Sequence, residues 1–392
     1  MHPALGAVHI APPHADAIPR GGCVSGKPLS RAKKQTKVVS WLRQDSGMRA
    51  IRTVLVMLAV LSVSLGGVAA ASSLPSWRLL PTGATAQFRG LSAVSERVAW
   101  VSGTQGTVLR TVDGGRTWLP VGPPGAGKLE FRDIEAFDAE HAVVLSIGPG
   151  ADSRIYRTDD GGKHWRQTFN NPDSAAFYDC LAFFDPWRGL AMSDPVDGKF
   201  RVQATFDGGR SWKQLPDDAF PPAEPGEAGF AASGQCVTTS GPFDAWLATG
   251  GGAHARVLHS GDGGRHWTAA ETPLPSSASA GVFAVAFRTP WQGVAIGGDY
   301  ANPTAPGPAV AVSHDRGRTW RTPPEHPAGY RSGLAWRGGA VLAVGPGGSD
   351  LSRDGGRHWT SFDTGGFDTV DCTWTGACWA SGAKGRVAKL IP

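Results

Sequence analysis

Seven aromatic residues, Phe88, Phe131, Phe177, Phe230, Phe283, Tyr330 and Phe367, each open a short apolar run. The residues that follow them are Arg89, Arg132, Tyr178, Ala231, Ala284, Arg331 and Asp368. Three guanidinium groups and a phenol at equivalent positions suit an anion, because the planar arginine fork pairs bidentately with carboxylate or sulfate. Later in their runs, Asp194, Asp197, Lys199, Asp299 and Tyr300 add acidic, basic and hydroxyl groups. Brought together, with Arg331, Arg89 and Arg132 forming an arc interrupted by Asp368, these residues would make a polar mouth for an anionic ligand or a protein partner. The same residues have a plainer use: they pair with one another and stabilise loops, as structural ion-pair networks commonly do.

Other chemistries find less support. An arginine cluster with a tyrosine and an acid is the equipment of a sialidase-like glycoside hydrolase. The chain lacks an Arg-Ile-Pro signature, however, and Phe88-Arg-Gly and Tyr330-Arg-Ser come nearest. A carbohydrate-active enzyme working through acids at the mouth is therefore the alternative to a non-catalytic binding protein, and no catalytic residue is assigned. Gly122-Pro-Pro-Gly-Ala-Gly-Lys128 has phosphate-loop spacing, but Leu129 stands where the magnesium-binding Ser or Thr belongs. No dinucleotide fingerprint is present, so no cofactor is expected. Cys180, Cys236, Cys372 and Cys378 are an even set that fits two disulfides, Cys180 with Cys236 and Cys372 with Cys378, rather than zinc, for which the spacing is wrong. No metal site is expected.

The elements that must position these residues come from a repeat. Thr111-Val-Asp-Gly-Gly-Arg-Thr-Trp118 returns as an octet ending at Trp165, Trp212, Trp267, Trp320 and Trp359, with its aspartate at Asp113, Asp160, Asp207, Asp262, Asp315 and Asp354. The spacings of roughly 40–55 residues match one four-stranded propeller blade per repeat. In each octet the carboxylate can accept backbone N–H bonds across a tight turn, and the glycines permit positive φ. These six aspartates are therefore read as structural. Seven aromatic starts against six octets leave the last unit without an outer strand. Residues 76–80, Ser-Trp-Arg-Leu-Leu, resemble the strands that follow the octets. The expected fold is all-β: a seven-bladed β-propeller with Asp-box repeats, its last blade closed by the N-terminal strand. Gly is 54 and Pro 30 of the 392 residues, a content of turn-formers that excludes a mainly helical protein.

The octet is the Asp-box, also called the bacterial neuraminidase repeat. Together with the segments at 177–185, 192–200 and 297–300, it makes residues 75–392 resemble the photosystem II stability/assembly factor-like propellers. In photosynthetic members that resemblance implies a lumenal scaffold that holds a membrane-protein intermediate during assembly. It implies here a non-catalytic binding protein assisting a membrane-associated complex.

From Met48 a basic stretch with Arg49 and Arg52 precedes an apolar run at 54–65 and the small residues at 69–71. The apolar run is shorter than the roughly 20 residues of a membrane span, so the sequence predicts a cleaved signal peptide over 48–71, preceded by an extension over 1–47. The propeller then occupies 72–392, exported to the periplasm or beyond the cell, without a membrane anchor and monomeric. The chain carries 38 basic and 33 acidic residues, but residues 1–71 hold nine of the bases and two of the acids, so the remainder has a net charge of −2. The overall basicity belongs to the leader and gives no reason to expect a nucleic-acid partner.

Overall fold

The computed structural model describes residues 73–392; the extension and the signal segment expected over 1–71 lie outside the described residues. Seven antiparallel sheets follow one another along the chain as the blades of a propeller. Blade one shows the pattern: Phe88–Ala93, Ala99–Gly103, Val108–Thr111 and Leu119–Pro120 run from the channel outwards as strands a to d. Blade five keeps three strands, Ala280–Thr289, Gln292–Asp299 and Val310–Ser313, and its outer position is reduced to a single bridge between Val312 and Arg321. No described helix is long and apolar enough to cross a membrane.

The ring closes as the repeat count predicts. Strand Ser76–Leu80 pairs antiparallel with Val387–Ile391, Trp77 opposite Leu390, and completes the sheet of Cys378–Ser381 and Thr369–Cys372. Trp77 is buried there, 5.3 Å from the Phe367 ring, and its indole N–H donates to Ser349 Oγ at 2.9 Å. Every described strand of the ring lies within residues 76–391.

The six octets form one repeated turn. In the first, Asp113 Oδ1 accepts the Thr117 backbone N–H at 3.0 Å, Asp113 Oδ2 accepts the Thr117 hydroxyl at 2.6 Å, and the Gly115 N–H reaches Thr111 Oγ1 at 2.9 Å. Where histidine replaces the hydroxyl residue, its ring substitutes, as with His164 Nδ1 at 2.6 Å from Asp160. The hydroxyl and backbone bonds from Thr117 hold the Asp113 carboxyl down at about 2. The second glycine of the turn also sets the packing between blades. At Gly162, φ is +83°, and a Cβ would stand 2.6 Å from Val121 Cβ of the preceding blade.

Blade four departs from the expected register. Its innermost strand is Val237–Ser240, not a run opening at Phe230. Residues 230–235 instead run into the channel, where Gln235 crosses it: the side-chain amide donates to Leu334 O at 3.0 Å and Val370 O at 2.9 Å, and its oxygen accepts the Leu334 N–H at 2.8 Å. Only small side chains fit along this path. Gly234, at φ +74°, lies so close to Asp133 that a Cβ would be 2.5 Å from its Oδ1. The disulfide Cys180–Cys236, with Cα atoms 5.9 Å apart, ties the end of this segment to blade three. The second disulfide, Cys372–Cys378, braces the turn between the first two strands of blade seven.

Candidate functional site

The d–a and b–c loops gather at one mouth of the channel around a cavity of about 770 Å³. Arg89 and Arg132 stand on its wall with Gln87 and Asp368. Arg132 is held by Glu130 at 2.8 Å and donates to Ala231 O at 2.9 Å, which links blade two to the inserted segment. Arg89 has no such support. Its Nε is buried and makes no hydrogen bond, and burial, together with the neighbouring Arg132 charge, lowers its pKa. Asp368 accepts from Gln87 Nε2 at 3.0 Å, and burial raises its carboxyl above the usual range.

Asp179 and Asp194 also line the cavity, close enough to each other for their ionisation to be linked. Asp194 Oδ1 accepts the Gly229 N–H at 2.7 Å and so anchors the end of the long proline-rich loop. Burial first, then the Asp194 carboxylate, pushes Asp179 well above the carboxylate range; burial raises Asp194 as well. Two carboxyls this close share a proton rather than both ionise.

The remaining wall is aromatic. Phe230 stacks on Phe283 with ring centres 4.2 Å apart, Tyr330 meets Phe283 edge-on at 4.8 Å, and Tyr300 stands at 6.2 Å from Phe283 with its surface exposed. Phe230, Phe283 and Tyr330 are among the seven aromatics that recur in the repeat. The recurring aromatic was itself the signal, and attention to the residue after it passed over three of the cavity's largest surfaces. Asp179 was missed for a different reason: it becomes distinctive only beside Asp194, which arrives from the next strand.

Five expected mouth residues stand elsewhere. Arg331 does not join an arc. Its strand starts only at Gly333, and the chain turns its guanidinium behind Gly345 to pair with Asp350 at 2.6 Å, both groups buried. Tyr178 points into blade three, where its hydroxyl accepts from Gln203 Nε2 at 2.7 Å. Asp197 occupies the exposed tip of a tight turn at φ +53°, and Lys199 beside it pairs with Asp217. Asp299 closes its own loop by accepting the Ala301 N–H at 2.9 Å. Of the named set, the cavity brings together Arg89, Arg132, Asp194, Tyr300 and the Asp368 expected to interrupt the arc.

This architecture has solved counterparts. The structure titled YCF48 bound to D1 peptide aligns with a TM-score of 0.58 at 17% identity, over 82% of this chain and 98% of that one. YCF48 from Cyanidioschyzon merolae gives 0.59 at 17% identity, over 81% and 99%. The GH74 enzyme of Niastella koreensis gives 0.55 at 13% identity, over 79% of this chain and 53% of that one. No protein-family model and no curated protein sequence matches the chain. At these identities the likeness is one of fold: the chain shares the propeller of the YCF48 structures along nearly their full length.

On the far side of the inserted segment, Asp133, Glu135 and Asp371 line a second cavity of about 370 Å³. Asp133 accepts the Leu181 N–H at 2.6 Å and Asp371 the Ala93 N–H at 2.7 Å, each joining neighbouring blades. Burial, then the nearby Asp371, raises the Glu135 carboxyl to about 8, although part of its surface stays open to the channel.

Proposed function

We propose that the chain is an exported, non-catalytic binding propeller whose aromatic-walled mouth takes an acidic segment of a protein partner, in support of a membrane-associated complex. The carrying observation is Arg89: a buried guanidinium Nε without an acceptor, beside a second arginine, in an open cavity. The Arg89 guanidinium makes no hydrogen bond among the described residues, and a carboxylate reaching between Arg89 and Arg132 can accept from its N–H groups on the cavity side. The aromatic rings supply apolar area for the side chains flanking that carboxylate. The likeness to a propeller solved with a bound peptide supports this reading, and the two disulfides accord with an oxidising compartment.

The glycosidase reading is weaker. Its two carboxyls need a separation of about 5–9.5 Å to act on either side of a glycosidic bond. Asp179 and Asp194 instead lie close enough to perturb each other's ionisation, with burial acting first. Hydrolysis of nitrophenyl glycosides by the purified protein would reverse the assignment.

The test is fluorescence-anisotropy titration with a panel of synthetic peptides, acidic and aromatic against their amide-substituted counterparts. The acidic peptides should bind, and Arg89→Ala with Arg132→Ala should weaken them by at least about tenfold, since each charge-assisted bond contributes about 1.5–3 kcal/mol. Arg331→Ala serves as the contrast. It should lower stability by about 3–5 kcal/mol, because Asp350 is left buried and unpaired. Equal binding of acidic and amide peptides would reject the site.

A further inference from the structure

The opposite face, built from the a–b and c–d turns, carries an unexplained set of side chains. Every exposed Trp and Phe among the described residues lies there: Trp187, Phe206, Phe243, Trp291 and Trp374. Leaving such rings in water forgoes the burial that drives folding, and here five blade turns do so on one side. Four of them are a–b turns of different blades. The ring's rotation relates these turns, so they share one face, which fits a broad target better than a cleft.

Blades five to seven add charge and rigidity. Trp374 is 95% exposed at the tip of the turn closed by Cys372–Cys378, a turn also fastened by Thr373 N–H to Ala377 O at 2.8 Å and Ala377 N–H to Thr373 Oγ1 at 3.0 Å. A ring on such a pedestal loses little freedom when it is inserted. Trp291 stands under the Arg316 guanidinium, 4.5 Å from the ring centre. Around the two indoles, Arg288, Arg318 and Arg357 are exposed and in no ion pair among the described residues. The acids of the same sector are largely spent. Asp315 and Asp354 are engaged within their own turns by Thr319 and His358, Asp354 remaining exposed, and Glu325 is exposed without such a side-chain partner. Indoles on one face flanked by arginines match the headgroup region of a bilayer, where Trp settles and basic side chains meet anionic lipid.

We propose that this face docks peripherally on an anionic membrane surface, with Trp291 and Trp374 seated among the headgroups and Arg288, Arg318 and Arg357 against lipid phosphates. Docking in this way turns the aromatic-walled mouth away from the bilayer and leaves it open. The proposal stands on surfaces separate from the mouth.

Flotation with protein-free vesicles tests it, using residues 72–392, whose ring is complete, so that the apolar stretch at 54–65 does not contribute. The protein should float with phosphatidylcholine vesicles containing phosphatidylglycerol and not with phosphatidylcholine alone, and added salt should release it. Trp291→Ser with Trp374→Ser should lose most of the binding. Replacing the three arginines by Gln should cost about fivefold each. The thermal midpoint should hold in both variants because the side chains are exposed, and Arg89→Ala with Arg132→Ala should float like the parent. Equal flotation with both vesicle types, or full binding by the double tryptophan variant, overturns the proposal. Retention by protein-containing membranes but not by protein-free vesicles also overturns it and assigns the face to a protein partner.

Discussion

Single side chains in this protein act by what surrounds them more than by what they are. Arg89, Arg132 and Arg331 occupy the same position in the repeat, yet one guanidinium is left with an unpaired Nε, one is braced by Glu130, and one is buried against Asp350. The channel carboxyls show the same dependence. Glu135 has its folded pKa raised to about 8 by burial and by Asp371. A carboxyl whose folded pKa lies above its unfolded value of about 4.3 contributes stability at low pH, and that contribution is lost as the pH rises through the folded pKa. Stability should therefore fall between about pH 5 and pH 8, and Glu135→Gln should flatten that fall. Urea midpoints of the parent and the variant at the two ends of this range measure the effect; parallel pH profiles would show that Glu135 is already ionised in the fold.

At the level of elements, the strands follow from alternation and turn chemistry, while their ends follow from neighbours. The repeated aspartate turn is encoded locally, since its hydrogen bonds join residues four apart or fewer. The strand Ser76–Leu80 is not local: its partner lies at the far end of the chain. Deleting residues 72–82 should destabilise the ring by more than about 3 kcal/mol, the least expected from removing a buried Trp77 side chain, before the exposed sheet edge is counted. Scanning calorimetry should then show a lower midpoint; an unchanged one would mean that blade seven does not need its fourth strand. Blade four shows the converse. An aromatic start at Phe230 predicts a strand, but the small residues after it let the chain enter the channel, and Gln235 finds its backbone partners in blades six and seven.

Across the described ring, two unlike faces are presented: a mouth with aromatic walls and two neighbouring arginines, and an opposite side with exposed indoles and arginines outside any ion pair. The disulfides bear on these parts unequally. Cys180–Cys236 spans 56 residues and anchors the segment that fills the channel, whereas Cys372–Cys378 spans 6. Loop-closure entropy puts their contributions at about 4 and about 2 kcal/mol. Replacing Cys180 and Cys236 by Ser should accordingly lower the denaturant midpoint more than replacing Cys372 and Cys378. The reverse order would mean that the first bridge strains the channel segment.

The sequence by itself determined the blade count, the repeated turn, the closing strand and the pairing of the cysteines. Each rests on a periodic or local signal: a recurring octet, an unpaired strand at each end, an even set of thiols. It also named Arg89, Arg132, Asp194 and Tyr300, because position in a repeat maps onto position around a ring. Only the tertiary structure decided which of the equivalent side chains face the cavity. That choice turns on the residue at which each inner strand begins and on which neighbour offers a partner. Arg331 has Asp350 within reach and is spent on it; Tyr178 has Gln203; Arg89 has no acceptor for its Nε. The aromatic wall and the Asp179–Asp194 proximity were likewise settled by packing between blades, where side chains far apart in the chain meet at van der Waals distance and no spacing along the sequence records it.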